Sequence, residues 1–472
     1  MKMRRWLIPL TAFCITVGMT FSANAATSGW SKDGNNWKWY EANGSYVTNT
    51  WKKGGDDAWR WLGSNGVMAE NSWVDDDSYY VDDNGTIVTD AWKKLKAFDD
   101  PDNEYWYCFN NTGKVLKNVW KRTNDKWYHL GDTGRLEYGW ILDDMYYTDE
   151  NGVMLTGWQK LKDPSETDNK NEDERNTPGD VKADEESDDV HYYFFNSSGK
   201  KYVPTDVGSG DYGERKVDGK RYCFDSNGAR QYGWVNLEGT EGINEKITDY
   251  KYYNEDGTVR TGWYSLNPPD SMESNYSNDV VWFYFNSTGV PKATDNNEYT
   301  ESDILKINNR KYLFNEYGTP VYGLQKVFTS SSKTNYTAYF FGTSDQCNVQ
   351  KGKETIKESD GANYSYYFSE SSGEGYTGVH DSILYYMGKP QKADKGVSYT
   401  VISLPRSSSS SSYTNYVVNT SGRVEKKTTV KDKDGVKYTT DGSGILVKID
   451  GSSDGINGSF TAPSEPDFDS YD

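Results

Sequence analysis

A short word of aromatic residues closed by glycine recurs along this chain and limits what it can fold into. Examples are WKWYEANG at 37–44, WRWLGSNG at 59–66, WYCFNNTG at 106–113 and YYFFNSSG at 192–199. Each word has four residues that favour strands, then turn formers and a Gly whose positive φ suits a tight hairpin turn. We predict that this turn leads into a second short strand, as at 67–69.

The spacing of the words sets the size of the folding unit. Many units open with Gly-Trp, and Trp30, Trp51, Trp73 and Trp92 follow one another at intervals of 21, 22 and 19 residues. Such a unit holds one hairpin, which is marginally stable alone in water. Each hairpin must therefore stack on its neighbours, and we predict an all-β solenoid of stacked ~20-residue β-hairpin repeats.

The composition agrees with a core made of rings. Aromatic residues make up 15% of the chain and all hydrophobic residues only 35%, so Leu, Ile and Val are too sparse for one large aliphatic core. The formal net charge of −19 argues against a nucleic-acid partner, because that affinity needs Lys and Arg to neutralise phosphates.

The repeat is uneven, which predicts a division of the chain. Residues 1–25 have the basic start, apolar stretch and Ala-Asn-Ala site of a secretory signal peptide, and no membrane span is expected in the mature chain. Trp-rich repeats fill 26–160, and more degenerate, Tyr/Phe-rich repeats fill 191–450. The sequence between them, 161–190, is an acidic insertion loop, and 451–472 reads as an acidic disordered tail.

The pattern resembles a known family. Gly-Trp, a Trp-Tyr-Tyr-like strand, Asn-Gly or Ser-Gly, then Met and Thr-Gly-Trp is similar to the choline-binding, or cell-wall-binding, repeats of Gram-positive surface proteins. Related repeats occur in glucan-binding proteins and clostridial toxins. The resemblance covers about residues 29 to 450 and implies aromatic boxes between hairpins. In the family, each box uses the opening Trp and the strand Trp of one repeat, a Tyr of the next repeat and often a Met.

Carried onto this sequence, the resemblance implies four boxes. Two of these boxes look most complete. One consists of Trp51 and Trp59 with Tyr79 or Tyr80, near Met68. The other consists of Trp120 and Trp127 with Tyr146 or Tyr147. Two others are Trp30 and Trp37, with Trp59 or Trp61 in the place of Tyr, and Trp92 and Trp106 with Tyr128. Ser78 and Met145 stand where a strand Trp should be, so boxes opened by Trp73 and Trp140 are not expected.

We predict no catalytic residue, metal site or cofactor. The three histidines, His129, His191 and His380, lie far apart in the sequence, and no H-E-x-x-H motif or nucleophile elbow is present. The repeats leave no separate segment for a catalytic domain.

These observations predict a secreted, non-catalytic protein held non-covalently on the cell surface. Its expected partner is a cell-wall polymer, and Trp-rich boxes suit the quaternary ammonium of choline on a teichoic-acid-type polymer. Two alternatives stay open: a surface lectin that stacks glucan or host glycans on the same rings, and a purely structural spacer.

Overall fold

Antiparallel β-hairpins make up most of this chain. The computed structural model describes residues 28–471 except 165–189, 206, 208–209, 241, 243, 296–297 and 407–411. The expected signal peptide (1–25) and most of the insertion loop (161–190) lie outside the described residues. The chain divides into one unit formed by 1–203 with 227–229, and a second formed by 204–226 with 230–472. Within the described residues, no helix has the length and apolar character to cross a membrane.

The first unit contains seven successive hairpins. Their strands are β1 (Gly29–Asp33), β2 (Asn36–Tyr40), β3 (Thr50–Lys53), β4 (Trp59–Leu62), β5 (Ser72–Val74), β6 (Tyr79–Val81), β7 (Trp92–Lys96), β8 (Glu104–Cys108), β9 (Val119–Thr123), β10 (Lys126–Leu130), β11 (Gly139–Ile141), β12 (Tyr146–Thr148), β13 (Gly157–Lys162) and β14 (Val190–Phe195). Each odd-numbered strand pairs with the next strand in sequence.

The second unit continues the same pattern. Its strands are β15 (Tyr212–Val217), β16 (Lys220–Asp225), β17 (Gly233–Asn236), β18 (Tyr250–Tyr253), β19 (Gly262–Leu266), β20 (Val281–Phe285), β21 (Leu305–Ile307), β22 (Arg310–Tyr312), β23 (Leu324–Phe328), β24 (Tyr336–Phe340), β25 (Gly352–Lys357), β26 (Asn363–Phe368), β27 (Gly378–His380), β28 (Ile383–Tyr386), β29 (Lys389–Gln391), β30 (Tyr399–Pro405), β31 (Tyr413–Asn419), β32 (Thr429–Lys431), β33 (Lys437–Thr440) and β34 (Leu446–Ile449). Two sheets, β27–β28–β29 and β32–β33–β34, have a third strand. Short 3-10 helices cover Ile247–Asp249, Asp270–Asn275, Glu301–Asp303 and Phe468–Tyr471.

The hairpin lies earlier in each repeat than the sequence pattern suggests. The strand of the opening Trp pairs with the strand of the aromatic word, so that Trp51 lies opposite Trp61. After the word, the Gly turn leads to a single bridge, Leu62 to Met68, where we expected a second strand. In the next repeat, the first polar residue of the word builds the equivalent turn: one side-chain oxygen of Asp82 accepts the backbone N–H groups of Asn84 and Thr86. It therefore closes as an Asx turn.

A backbone hydrogen bond links each hairpin of the first unit to the hairpin before it. The N–H of the second residue after the Gly donates to the carbonyl at the start of the preceding aromatic strand. Examples are Met68 to Trp37 at 2.8 Å, Ile87 to Trp59 at 3.0 Å and Leu136 to Trp106 at 2.9 Å. The same contact recurs in the second unit, from Val259 to Arg221 at 3.0 Å. The predicted fold class, an all-β solenoid of stacked hairpins, is confirmed within each unit.

Small clusters along each stack provide the core. One cluster in the first unit joins Val88, Ala97, Tyr107, Phe109 and Val115, and clusters of similar size follow along both units. Rings supply much of their volume, as the low aliphatic content predicts.

The acidic C-terminal segment is ordered where we expected a disordered tail at 451–472. Thr461 forms a parallel bridge with Ile402, and Ser464 exchanges hydrogen bonds with the side chain of Gln391. Phe468 packs against a core cluster of the second unit and lies 6.3 Å from the ring of Tyr336. One aromatic anchor and a few backbone bonds thus hold a segment whose average composition predicts disorder.

Replacing Gly66 with alanine should destabilise the first unit by more than about 1 kcal/mol. Gly66 has φ 72°, and a Cβ there would lie 2.3 Å from Cδ2 of Tyr46 in the preceding repeat. Gly55→Ala is the matched control, because a Cβ at Gly55 would have open space around it. Urea unfolding followed by circular dichroism measures both variants, and equal midpoints would contradict the prediction.

Candidate functional site

The opening Trp and the strand Trp of a repeat lie on one face of their hairpin. The residues opposite Trp51, Trp92 and Trp120 are Trp61, Cys108 and His129. In each hairpin the strand Trp comes two residues before that partner. Because side chains two residues apart in a strand share a face, each strand Trp stands diagonally across from its opening Trp, within reach of a large ring.

The strand tryptophans expose their rings although they are large and apolar. Their exposed fractions are 38% for Trp37, 45% for Trp59, 41% for Trp106 and 41% for Trp127. One exposed Trp would need no explanation, but the same position is exposed in four repeats. This periodic exposure is the main functional signal in the first unit.

A tyrosine of the next repeat supplies the third ring, and the register shows which one. Trp51 lies 5.3 Å from Tyr79, Trp92 lies 5.4 Å from Tyr128, and Trp120 lies 5.2 Å from Tyr146, all between ring centroids. In three of the predicted sets, the structure thus places the opening Trp against one of the expected tyrosines.

The two other candidate tyrosines belong to the core. Tyr80 packs on Trp73 at 5.5 Å and Tyr147 on Trp140 at 5.1 Å. Burial raises the pKa of Tyr147 to about 12, and burial also raises the pKa of Tyr80. Of the alternatives that the sequence left open, Tyr79 and Tyr146 therefore adjoin the boxes.

The opening tryptophans also hold successive repeats together. The indole N–H of Trp30 donates to the carbonyl of Lys53 at 2.9 Å, that of Trp51 to the carboxylate of Asp75 at 3.0 Å, and that of Trp92 to the hydroxyl of Thr123 at 3.1 Å. Each indole is thereby fixed in orientation, which prepares the box for a ligand at little entropic cost.

The first box differs most from the expectation. Trp30 and Trp37 line a cavity of about 330 Å³ together with Met68, Asp56 and Arg60. Met68, which we expected beside Trp51 and Trp59, thus lines this cavity, and its N–H donates to Trp37. Trp61 packs on Trp51 at 5.3 Å. The guanidinium of Arg60 holds the pKa of the Asp56 carboxyl well below its usual range.

In the repeats that lack a strand Trp, the opening Trp packs against a core cluster. Trp140 is 8% exposed and lies 5.0 Å from Tyr193. The ammonium of Lys201 lies 4.8 Å from the Trp140 ring centroid, so that ring already has a cation on it. Trp73 packs 4.7 Å from Tyr107. Both indoles pack against core clusters.

A similar set of rings in the second unit was missed in the sequence. Trp263 lies opposite Tyr284, so Trp282, two residues earlier, shares its face and is 55% exposed. The Trp263 ring lies 6.4 Å from Trp282 and 4.9 Å from Tyr312. The signal was present in Gly262-Trp263 and the word at 282–289. We overlooked it because tryptophan is scarce in that half and the 3-10 helix Asp270–Asn275 lengthens the repeat.

Two strand tryptophans have the ammonium group of a lysine from the same hairpin over their rings. The ammonium nitrogen of Lys32 lies 5.4 Å from the Trp37 ring centroid, and that of Lys53 lies 5.5 Å from Trp59. Lys53 also pairs with Asp57 at 3.7 Å. The corresponding lysine of the fourth hairpin, Lys94, pairs with Glu104 at 3.8 Å. A cationic ligand at Trp59 must therefore displace an internal cation.

Lys53→Gln should tighten binding of a quaternary ammonium ligand at Trp59 by about two- to five-fold. A cation on an exposed ring contributes about 0.5–1 kcal/mol, and the variant removes the internal competitor. Lys94→Gln removes the same charge from a side chain that pairs with Glu104 and is the matched control. The choline concentration that elutes each variant from an amine resin measures the effect, and identical elution of both variants would argue against the competition.

Comparisons with known proteins place part of this chain in a family. Residues 45–92, which contain the second and third hairpins, match the model of the choline-binding repeat. No curated protein gives a significant match to the sequence.

Several solved structures are similar to this chain. CbpJ from Streptococcus pneumoniae TIGR4 is 19% identical over 69% of this chain and 100% of its own, with a TM-score of 0.40. Choline binding protein F of Streptococcus pneumoniae is 18% identical over 70% and 100%, with a TM-score of 0.38. The modular autolysin LytC of Streptococcus pneumoniae is 18% identical over 65% of this chain and 56% of its own, with a TM-score of 0.36. The match thus spans little more than half of that autolysin.

The predicted relationship is confirmed by the matched segment, which contains Trp51, Trp59 and Tyr79. Residues 45–92 of this chain are therefore identified as choline-binding repeat sequence.

Proposed function

We propose that this protein binds choline groups of a teichoic-acid-type cell-wall polymer through its aromatic boxes and has no catalytic activity of its own. The observation that carries the proposal is the repeated exposure of the strand tryptophans Trp37, Trp59, Trp106 and Trp127. In the last three of these repeats, a tyrosine of the following repeat lies against the opening Trp. We extend the proposal to Trp263, Trp282 and Tyr312 of the second unit.

The chemistry of the rings suits a quaternary ammonium. Such a cation has no N–H to donate, so carboxylates gain no hydrogen bond from it, whereas the negative face of an indole attracts it. In the boxes opened by Trp30, Trp51 and Trp92, an exposed indole lies beside an opening indole whose N–H is already bonded to the protein. The ring faces, and not the N–H groups, are thus what the boxes offer to a ligand.

The repetition of the boxes suits a polymer. A single box with three rings gives modest affinity, but boxes on successive hairpins can bind several groups of one chain. Linked sites raise the effective concentration of each following group and increase the overall affinity by orders of magnitude. We infer from this that the protein is held non-covalently at the cell surface after secretion.

Elution by choline tests the proposal. The purified protein is loaded on an amine-type anion resin and washed with NaCl, then with choline chloride at the same concentration. Specific release by choline is expected, because only choline carries a quaternary ammonium that fits the boxes. Equal release by both salts would contradict the proposal, and release by oligosaccharide alone would favour a lectin.

A further inference from the structure

The third repeat of the first unit contains a cavity of a different kind. It has a volume of about 160 Å³ and is lined by Trp73, Asp77, Phe98, Asp99, Lys117 and Thr133, with Tyr107 at its wall. Ser78 replaces the strand Trp here, so no aromatic box was expected. The cavity has instead an aromatic residue from another source, Phe98, and several polar side chains.

Phe98 comes from a loop that most hairpins of the first unit lack. This loop, residues 97–103, connects β7 with β8 where other hairpins turn within a few residues. Phe98 is 70% exposed, and leaving a Phe side chain in water instead of burying it forgoes about 1.5–3 kcal/mol. Packing therefore does not explain its position.

The loop that presents Phe98 is firmly attached. The buried guanidinium of Arg135 pairs with Asp99 and lies 4.2 Å from the ring of Tyr105. The hydroxyl of Tyr105 donates to Asp100 at 2.7 Å, and Ala97 is buried. Contacts on both sides of Phe98 thus hold the ring at the mouth of the cavity before any ligand arrives.

Both carboxylates at this cavity already have a cationic side chain nearby. The carboxylates of Asp77 and Asp99 are balanced by Lys117 and by Arg135, which pairs with Asp99. The ring of Trp73 is occupied by neighbouring rings, at 5.5 Å from Tyr80, 4.7 Å from Tyr107 and 5.7 Å from Phe109. What remains is one exposed ring beside hydrogen-bond donors and acceptors, with a cation near each of the two carboxylates.

We propose that this cavity binds one pyranose ring of an uncharged saccharide. The apolar C–H face of the sugar stacks on Phe98, Asp77 accepts hydrogen bonds from sugar hydroxyls, and Lys117 and Thr133 donate to sugar oxygens. A mostly apolar cavity with a few placed polar groups is the usual form of a small-ligand site. The volume equals that of about five water molecules at ~30 Å³ each, which suits a single ring. This site does not depend on the choline boxes.

Saturation-transfer NMR on the full chain, with chitotriose and maltotriose as probes, tests the proposal. At least one of the two should receive saturation from the protein, and Phe98→Ala should weaken its binding at least tenfold. Asp77→Asn should also weaken saccharide binding, because it removes the carboxylate that accepts hydrogen bonds from sugar hydroxyls. The variant should keep the backbone conformation, since Asn tolerates the positive φ of 53° at this position. Tyr232→Ala is the matched control, because Tyr232 is 65% exposed and belongs to the other unit.

The outcomes separate this proposal from the choline proposal. If neither saccharide binds, or if Phe98→Ala binds as well as the parent protein, the saccharide site is overturned. If Phe98→Ala instead lowers retention by choline, the cavity is a cation site and the proposal also falls. Loss of saccharide binding with unchanged elution by choline supports it, and failure of the parent protein to elute with choline would count only against the choline boxes.

Discussion

Replacing Trp59, Trp106 and Trp127 together with alanine is expected to weaken choline-specific retention of this protein on an amine resin strongly, leaving only the proposed boxes at Trp37 and Trp282. Each ring contributes about 0.5–2 kcal/mol to binding of a quaternary ammonium, so each box should lose about two- to thirty-fold in affinity. Because several boxes bind one surface together, the losses multiply in the overall affinity.

The same triple variant should remain folded. These indoles are exposed, and their hairpins are held by backbone pairing and by the opening tryptophans. The matched control replaces three exposed tyrosines of the second unit, Tyr232, Tyr322 and Tyr413, and should be retained and eluted like the parent protein. Unchanged elution of the tryptophan variant, with circular dichroism showing an intact fold, would remove these residues from the binding site.

Trp140→Ala, unlike the triple variant, should cause a large loss of folding stability. Trp140 is buried among Tyr147, Tyr193 and Phe195, and its indole N–H donates to the carbonyl of Lys162 at 2.8 Å. Replacing such a residue leaves a cavity and an unpaired carbonyl, and typically costs about 3–5 kcal/mol. Urea unfolding of the first unit, followed by near-ultraviolet circular dichroism, measures the loss.

Trp127→Ala is the matched comparison for this experiment. Both variants remove one indole from the same unit, but Trp127 is exposed and should cost about 1 kcal/mol or less. Equal losses in the two variants would mean that exposed and buried indoles contribute alike to the core, which would contradict the division of roles described here.

The repeat itself could be predicted from the sequence, because its signals are local. Strand-favouring words, turn formers and the spacing of Gly-Trp all depend on neighbouring residues, and the hairpin stack follows from them. The strand that pairs with each aromatic word was harder to predict from the sequence. The Asn-Gly turn suggests a hairpin, but the word instead pairs with the strand before it, and an Asx turn ends in a single bridge.

The choice between Tyr79 and Tyr80 shows why the boxes were only partly predictable. Adjacent residues of a strand face opposite sides, so the register decides which ring reaches the box. That register is set by the turn Asp75-Asp76-Asp77, whose three residues all have positive φ, of 53–54°. It places Tyr80 opposite Trp73 and leaves Tyr79 for Trp51.

Features that depend on distant contacts were missed altogether. Phe98 lies in an ordinary polar loop by sequence, and only the pairing of Asp99 with Arg135, 36 residues later, shows how the loop is held. The C-terminal segment likewise depends on contacts with strands far earlier in the chain. Composition and local pattern contain no information about such pairings.

The central claim is that the exposed indoles, and not the buried ones, receive a quaternary ammonium. Fluorine NMR of protein labelled with 5-fluorotryptophan tests it directly, with each resonance assigned by single substitution. On titration with choline, but not with NaCl, the resonances of Trp59, Trp106 and Trp127 should shift, while that of the buried Trp140 should stay in place. Shifts confined to the buried indoles, or no shift at all, would contradict this account.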